Sequence, residues 1–210
     1  MTPNPITTPT LTYLALGDSY TIGESVKQSE SFPYQLTAQL KAENVNVADP
    51  KIIAKTGWTT DELQAAIKAE NLTQTYDIVT LLIGVNNQYR GYSKDTYRKE
   101  FKELLETAIN FTGKNKKSVC VISIPDWGVT PFGKASGKGI QTIAEEIDAF
   151  NAINKEEALA AGVNYTDITL GSRMANADTS LIATDGLHPS GKMYLQWVAG
   201  ILPVLNTLAN

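Results

Sequence analysis

Five short apolar runs, each stopped by a glycine, a proline or a polar turn and most followed by a stretch of helical periodicity, narrow the choice of fold for this chain more than any other feature. Residues 11–16 break at Gly17-Asp18-Ser19, residues 51–54 at Lys55-Thr56-Gly57, and residues 77–83 at Gly84-Val85-Asn86. Residues 118–124 are cut off by Pro125, and residues 163–168 form a fifth, shorter run. Such near-continuous apolar runs are expected of parallel strands buried on both faces, whereas half-exposed strands alternate. Between them, Phe32, Leu36 and Leu40 share one helical face; so do Tyr97, Phe101, Leu104, Leu105 and Ala108, and then Ile143, Ile147, Phe150 and Ala158. Ser31 with Pro33, Thr59 with Glu62, and Ser190 read as helix starts, the last opening a helix to about residue 208.

Strands alternating with helices and no internal repeat imply a parallel sheet covered on both faces. Right-handed crossovers leave few topologies, and the expectation is a doubly wound, flavodoxin-like sheet of five strands in the order 2-1-3-4-5. A polar loop is expected after Ser19, a long glycine-containing loop over residues 126–139, and an irregular stretch over 169–184. With 210 residues and no Pro/Gly/Ser linker, one domain is expected over residues 11–210, preceded by a flexible Thr- and Pro-rich segment at 1–10. That segment lacks a basic start and an apolar core, so an intact signal peptide is not expected. The chain as it stands is expected in the cytoplasm, or in the periplasm or outside the cell if a leader has been removed.

Composition excludes several function classes. Hydrophobic residues make up 42% and charged residues 19%, ordinary for a soluble protein, and no apolar run is as long as a membrane span. The net charge of −4, with only Lys114-Asn115-Lys116-Lys117 as a basic stretch, argues against a nucleic-acid partner. Cys120 stands alone in an apolar run and reads as a small core residue. One cysteine and one histidine do not make a zinc cluster, and no metal or organic cofactor is expected, although a carboxylate site for a hard cation stays open.

In the expected topology Ser19, Gly57 and Asn86 follow three neighbouring strands, so all three reach the carboxyl edge of the sheet, where ligands bind in open α/β folds. A serine hydroxyl becomes a nucleophile when a base takes its proton, and histidine exchanges protons near neutrality. The single histidine, His188, stands between Asp185 and a helix start, and an aspartate three residues away can fix its tautomer. Gly57 offers a backbone N–H and Asn86 a side-chain amide, the donor types that hold an oxyanion. Taken singly, each of these residues also suits a plain turn.

The four blocks Gly17-Asp18-Ser19-Tyr20, Gly57, Gly84-Val85-Asn86 and Asp185-Gly186-Leu187-His188-Pro189 resemble, in order and over nearly the whole length, the SGNH hydrolases, also called GDSL esterases and lipases. The resemblance implies a three-layer α/β/α sandwich, with Ser19 as nucleophile, His188 as general base and Asp185 orienting it. It implies an oxyanion hole of the Ser19 N–H, the Gly57 N–H and the Asn86 side chain. Two departures stand out: Tyr20 where the family often has Leu, and Asn87 where it often has Asp. The second is expected to change how the first-block loop is braced, not the chemistry. Ser19 is not in Gly-x-Ser-x-Gly, so no sharp nucleophile elbow is indicated.

The expected function is a serine esterase working through an acyl-enzyme; the alternative is a catalytically inactive carbohydrate- or lipid-binding module on the same fold. A nucleotide binder is disfavoured because residues 17–23 lack the repeated glycines of a phosphate cradle. Trp58, Tyr89, Trp127 and Phe132 lie in expected loops near the site and are candidates for the substrate pocket. With no lid-like amphipathic helix, a small-molecule ester with a short acyl group, or an acetylated carbohydrate, is favoured over a long-chain lipid ester.

Overall fold

The computed structural model describes residues 9–205, so residues 1–8 of the expected N-terminal segment and the expected end of the last helix lie outside the described residues. Five strands, β1 (Tyr13–Gly17), β2 (Lys51–Ala54), β3 (Ile78–Leu82), β4 (Val119–Ile122) and β5 (Asn164–Thr166), form one parallel sheet in the order 2-1-3-4-5. The helices are α1 (Ser19–Ile22), α2 (Phe32–Ala42), α3 (Thr60–Glu70), α4 (Val85–Tyr89), α5 (Lys94–Phe111), α6 (Pro131–Ala135), α7 (Ile140–Ala161), α8 (Thr169–Arg173) and α9 (Gly191–Leu205). Helices α2 and α9 pack together on one side of the sheet, and α3, α5 and α7 lie side by side on the other, giving the three-layer sandwich.

The central strands carry no polar face because they have no wet one. Every residue of β1, β3 and β4 is buried. Burying each Leu, Ile or Val of this kind stabilises the fold by about 1.5–3 kcal/mol. Two of the hydroxyls that enter the core are partnered: that of Tyr13 lies 2.8 Å from Thr80 Oγ1, and that of Tyr97 2.7 Å from Asn154 Oδ1 and 3.1 Å from the Ile83 carbonyl. Cys120 is buried in β4, and burial pushes its thiol up to about 11, so it is an inert packing group.

Three expectations about irregular segments are corrected. Ser19 is followed by one helical turn, α1, because Asp18 caps it: Asp18 Oδ1 accepts from the Tyr20 N–H at 3.0 Å. Residues 126–139 are not an open loop but a 3₁₀ turn at Trp127–Val129 followed by α6. Arg173, 47 positions on, holds that segment by donating from Nε to Asp126 Oδ2 at 2.8 Å. Residues 169–184 contain α8 and two further 3₁₀ turns. The strands themselves are one or two residues shorter than the apolar runs at several ends, as the last residues of each run turn out of the ladder.

For the site, what matters is that the chain runs from β1 outward to β2 and then returns to β3 on the other flank of β1. The crossovers diverge at β1, which opens a crevice at its carboxyl end. The approach is close there: a Cβ on Gly17 would sit 2.4 Å from the Leu82 carbonyl oxygen and 2.1 Å from Thr21 Oγ1.

Candidate active site

A cavity of about 190 Å3 lies at this crevice, lined by Ser19, Tyr20, Thr56, Gly57, Val85, Asn86, Tyr89, Trp127, Phe132, Leu187 and His188. Ser19 is the first residue of α1, so its N–H has no acceptor within the helix and faces the same end as its side chain. Among the described residues Ser19 Oγ makes no hydrogen bond. Beside it, Asp18 is fully buried, and Oδ2 has no partner among the described residues. Burial pushes the Asp18 carboxyl up to about 7, against the pull of the Tyr20 N–H.

His188 stands on a loop closed at its base by the antiparallel pairing of Ile182 with Pro189, where the Ala183 N–H donates to the His188 carbonyl at 2.7 Å. Asp185 organises that loop. Its Oδ1 accepts the Leu187 and His188 N–H groups at 2.9 and 3.0 Å, and its Oδ2 lies 2.6 Å from His188 Nδ1. Burial works to raise the Asp185 carboxyl, but the hydrogen bonds from His188, the Leu187 N–H and Ser25 hold it at about 2. The carboxylate therefore fixes the proton on Nδ1 and leaves Nε2 with the lone pair. The Tyr20 ring packs edge-on against the imidazole, with centroids 5.6 Å apart.

Gly57 occupies a left-handed conformation, φ +88°, which an L side chain rarely adopts. Its carbonyl is tied back by Arg90 Nη2 at 2.6 Å, and Arg90 Nη1 pairs with Glu62 at 3.3 Å. Asn86, in the first turn of α4, donates one amide hydrogen from Nδ2 to the Trp58 carbonyl at 2.9 Å. That leaves its second amide hydrogen for the cavity.

The structure brings Ser19, Gly57, Asn86 and His188 onto one cavity with Asp185 behind the histidine. Tyr89, Trp127 and Phe132 form its aromatic wall, with centroids 5.5 to 6.4 Å apart. Trp127 is fixed by donating from Nε1 to Gln88 Oε1 at 2.8 Å. Trp58 is the exception among the sequence candidates. It packs against the hydrophobic core, does not line the cavity, and contributes only its carbonyl. Asn87 does not brace the first-block loop either. It is buried and clasps the start of α3, with Oδ1 accepting from the Thr60 N–H at 3.1 Å and Nδ2 donating to Thr60 Oγ1 at 2.7 Å. Thr56, Val85 and Leu187 were missed as cavity residues, although each is a chain neighbour of a motif residue. Ser25 was also missed, and no sequence signal marks it. Among the described residues no group of three or more His, Cys, Asp or Glu side chains is disposed to hold a metal ion, and no helix is long and apolar enough to cross a membrane.

A family model described as the GDSL-like Lipase/Acylhydrolase family matches residues 15–195. No curated protein matches the chain. Solved structures share the fold at low identity. The psychrotrophic esterase EstA from Pseudoalteromonas sp., in a structure inhibited by monoethylphosphonate, is 16% identical with a TM-score of 0.71, over 95% of this chain and 99% of that one. The W215I form of Axe2, an acetyl xylan esterase from Geobacillus stearothermophilus, is 16% identical with a TM-score of 0.69, over 93% and 94%. A lipase/acylhydrolase from Enterococcus faecalis is 21% identical with a TM-score of 0.68, over 95% and 96%.

Proposed function

The chain belongs to the GDSL-like lipase/acylhydrolase family and is a carboxylic ester hydrolase, and on that premise we propose that it cleaves esters through a Ser19 acyl-enzyme with His188 as base and Asp185 as its orienting acid. The observation that carries this reading is the 2.6 Å contact of Asp185 with His188 Nδ1 on the cavity that also holds Ser19, Gly57 and Asn86.

In the first step Ser19 Oγ attacks the ester carbonyl carbon while His188 Nε2 takes the hydroxyl proton. The carbonyl oxygen, now an oxyanion, receives the Ser19 N–H, the Gly57 N–H and the free amide hydrogen of Asn86. The tetrahedral intermediate collapses, the alcohol leaves with the proton from His188, and the acyl group stays on Ser19. A water that gives its proton to His188 then attacks the acyl carbon, and collapse returns the proton to Ser19 and releases the acid.

The acyl group is short, or an acetyl on a carbohydrate. The cavity of about 190 Å3 supports this, and so does its wall of Tyr89, Trp127 and Phe132, which offers ring faces to a sugar or to an apolar alcohol. That Axe2, an acetyl xylan esterase, shares the fold is consistent with it.

Hydrolysis of p-nitrophenyl acetate and butyrate by the wild type and by Ser19→Ala tests the mechanism, with a fall in kcat of roughly 10⁴-fold or more expected for the variant. Stoichiometric labelling by an active-site phosphonate, lost in Ser19→Ala, is the accompanying readout. Full activity in Ser19→Ala overturns the assignment; failure of the wild type to hydrolyse either ester or to be labelled points to the binding-module alternative.

A further inference from the structure

The loop that leaves α1 carries two residues in the left-handed region, Gly23 at φ +76° and Ser25 at φ +65°. A glycine takes that conformation freely; a serine does so against steric cost, and such outliers persist where the surroundings impose them. Here the surroundings are two neighbouring loops. Glu24 accepts a short hydrogen bond from the Thr56 hydroxyl, next to Gly57, and Ser25 Oγ donates to Asp185 Oδ2 at 2.7 Å. The same Oδ2 lies 2.6 Å from His188 Nδ1, while Oδ1 is already held by two backbone N–H groups of its own loop. Without Ser25, Oδ2 would be restrained by the imidazole alone.

We propose that Ser25 is a positioning residue for the reaction, its hydroxyl fixing the Asp185 carboxylate against His188 and drawing charge from the oxygen that faces the imidazole. This rests on the reading of Ser19, His188 and Asp185 as the catalytic set. Two consequences follow from the shared oxygen. Losing the hydroxyl leaves Oδ2 held by the imidazole alone while Oδ1 keeps its two N–H groups, which loosens the carboxylate against His188 and slows proton transfer. It also concentrates negative charge on Oδ2, so the imidazolium is held more tightly and the base is available only at higher pH.

Other titratable groups around the pair are Asp18 and Tyr20 from the turn of Ser19, Glu24 from the loop of Ser25, Asp126 from the segment across the cavity and the buried Tyr194 from α9. None of them bonds to Ser25 Oγ, so replacing an uncharged hydroxyl changes the acid limb of the pH profile through Asp185.

The experiment compares Ser25→Ala and Ser25→Gly in the wild-type and Asp185→Ala backgrounds on p-nitrophenyl butyrate. Ser25→Gly removes the hydroxyl while easing the backbone, so thermal unfolding no lower than that of the wild type separates the hydroxyl from the fold. Both variants are expected to lose about threefold to tenfold in kcat with KM unchanged, and to move the acid limb of kcat/KM up by about half a pH unit. In the Asp185→Ala background neither is expected to cost anything more. A wild-type kcat and acid limb in folded Ser25→Gly, or a loss that persists undiminished with Asp185→Ala, overturns the role of Ser25. Asp185→Ala with wild-type activity instead overturns the catalytic set itself, and Ser25 with it.

Discussion

Asp18 sits between β1 and Ser19 with one oxygen capping α1 and the other without a partner among the described residues, and burial lifts its carboxyl from 3.8 to about 7. In the unfolded chain it ionises near its ordinary value. Between about pH 4 and pH 7 the native state keeps a proton that the unfolded state has released, so the stability present below about pH 4 is lost as pH rises through about 7. Asp18→Asn keeps a capping oxygen and removes the charge. Its urea midpoint is therefore expected to gain on the wild type steadily from pH 4 toward pH 7; parallel midpoints across that range contradict a buried, proton-binding Asp18. Residues of this kind divide sharply by legibility. Ser19, Gly57, Asn86, Asp185 and His188 stand out because each follows an apolar run or precedes a helix start. Ser25 does not, because its partner Asp185 lies 160 positions away and nothing local announces a left-handed serine.

The joint of β1 with α1 is where a strand and a helix compete for the same space. A Cβ on Gly17 would meet the Leu82 backbone oxygen at 2.4 Å, at the last pair of the β1–β3 ladder, so the two strand ends would have to part to admit it. Gly17→Ala is expected to destabilise the fold by about 1–3 kcal/mol, measured by denaturant unfolding, and to lower turnover further by displacing Ser19. An unchanged midpoint would show that β1 and β3 can part without loss. Strands and long helices were readable because their patterns are local: Ile78 to Leu82 is apolar except for Thr80, and the spacing of Tyr97, Phe101, Leu104 and Ala108 belongs to one helical face. The segment from Asp126 to Gly139 was not read as helical turns, although Asp126 and Thr130 cap them locally; what holds the segment in place, Arg173 on Asp126 and Gln88 on Trp127, comes from other elements. Trp58 was misplaced for a related reason: an aromatic in a loop near the site can face the core, and only packing decides which way it turns.

At the scale of the whole molecule the topology decides how large a substrate the site accepts. The crevice opens at one sheet edge, and its volume of about 190 Å3 falls below the roughly 300–1,000 Å3 of sites that enclose drug-sized ligands. Butyrate esters are expected to turn over faster than palmitate esters of p-nitrophenol; a preference for palmitate would point to a larger acyl site than this crevice provides. The five-strand order was readable in full from alternation and handedness, but the covering of the sheet edge by short helical turns was not.

In the proposed mechanism the nucleophile, Ser19, follows the first strand, and its base, His188, stands on the loop before α9, a helix that docks on α2. During synthesis Ser19 therefore leaves the ribosome long before the groups that would activate it. On that mechanism a half-made chain carries an unactivated alcohol, and hydrolysis waits until the last loop and helix are in place. Turnover in this protein is a certificate that folding has reached its end.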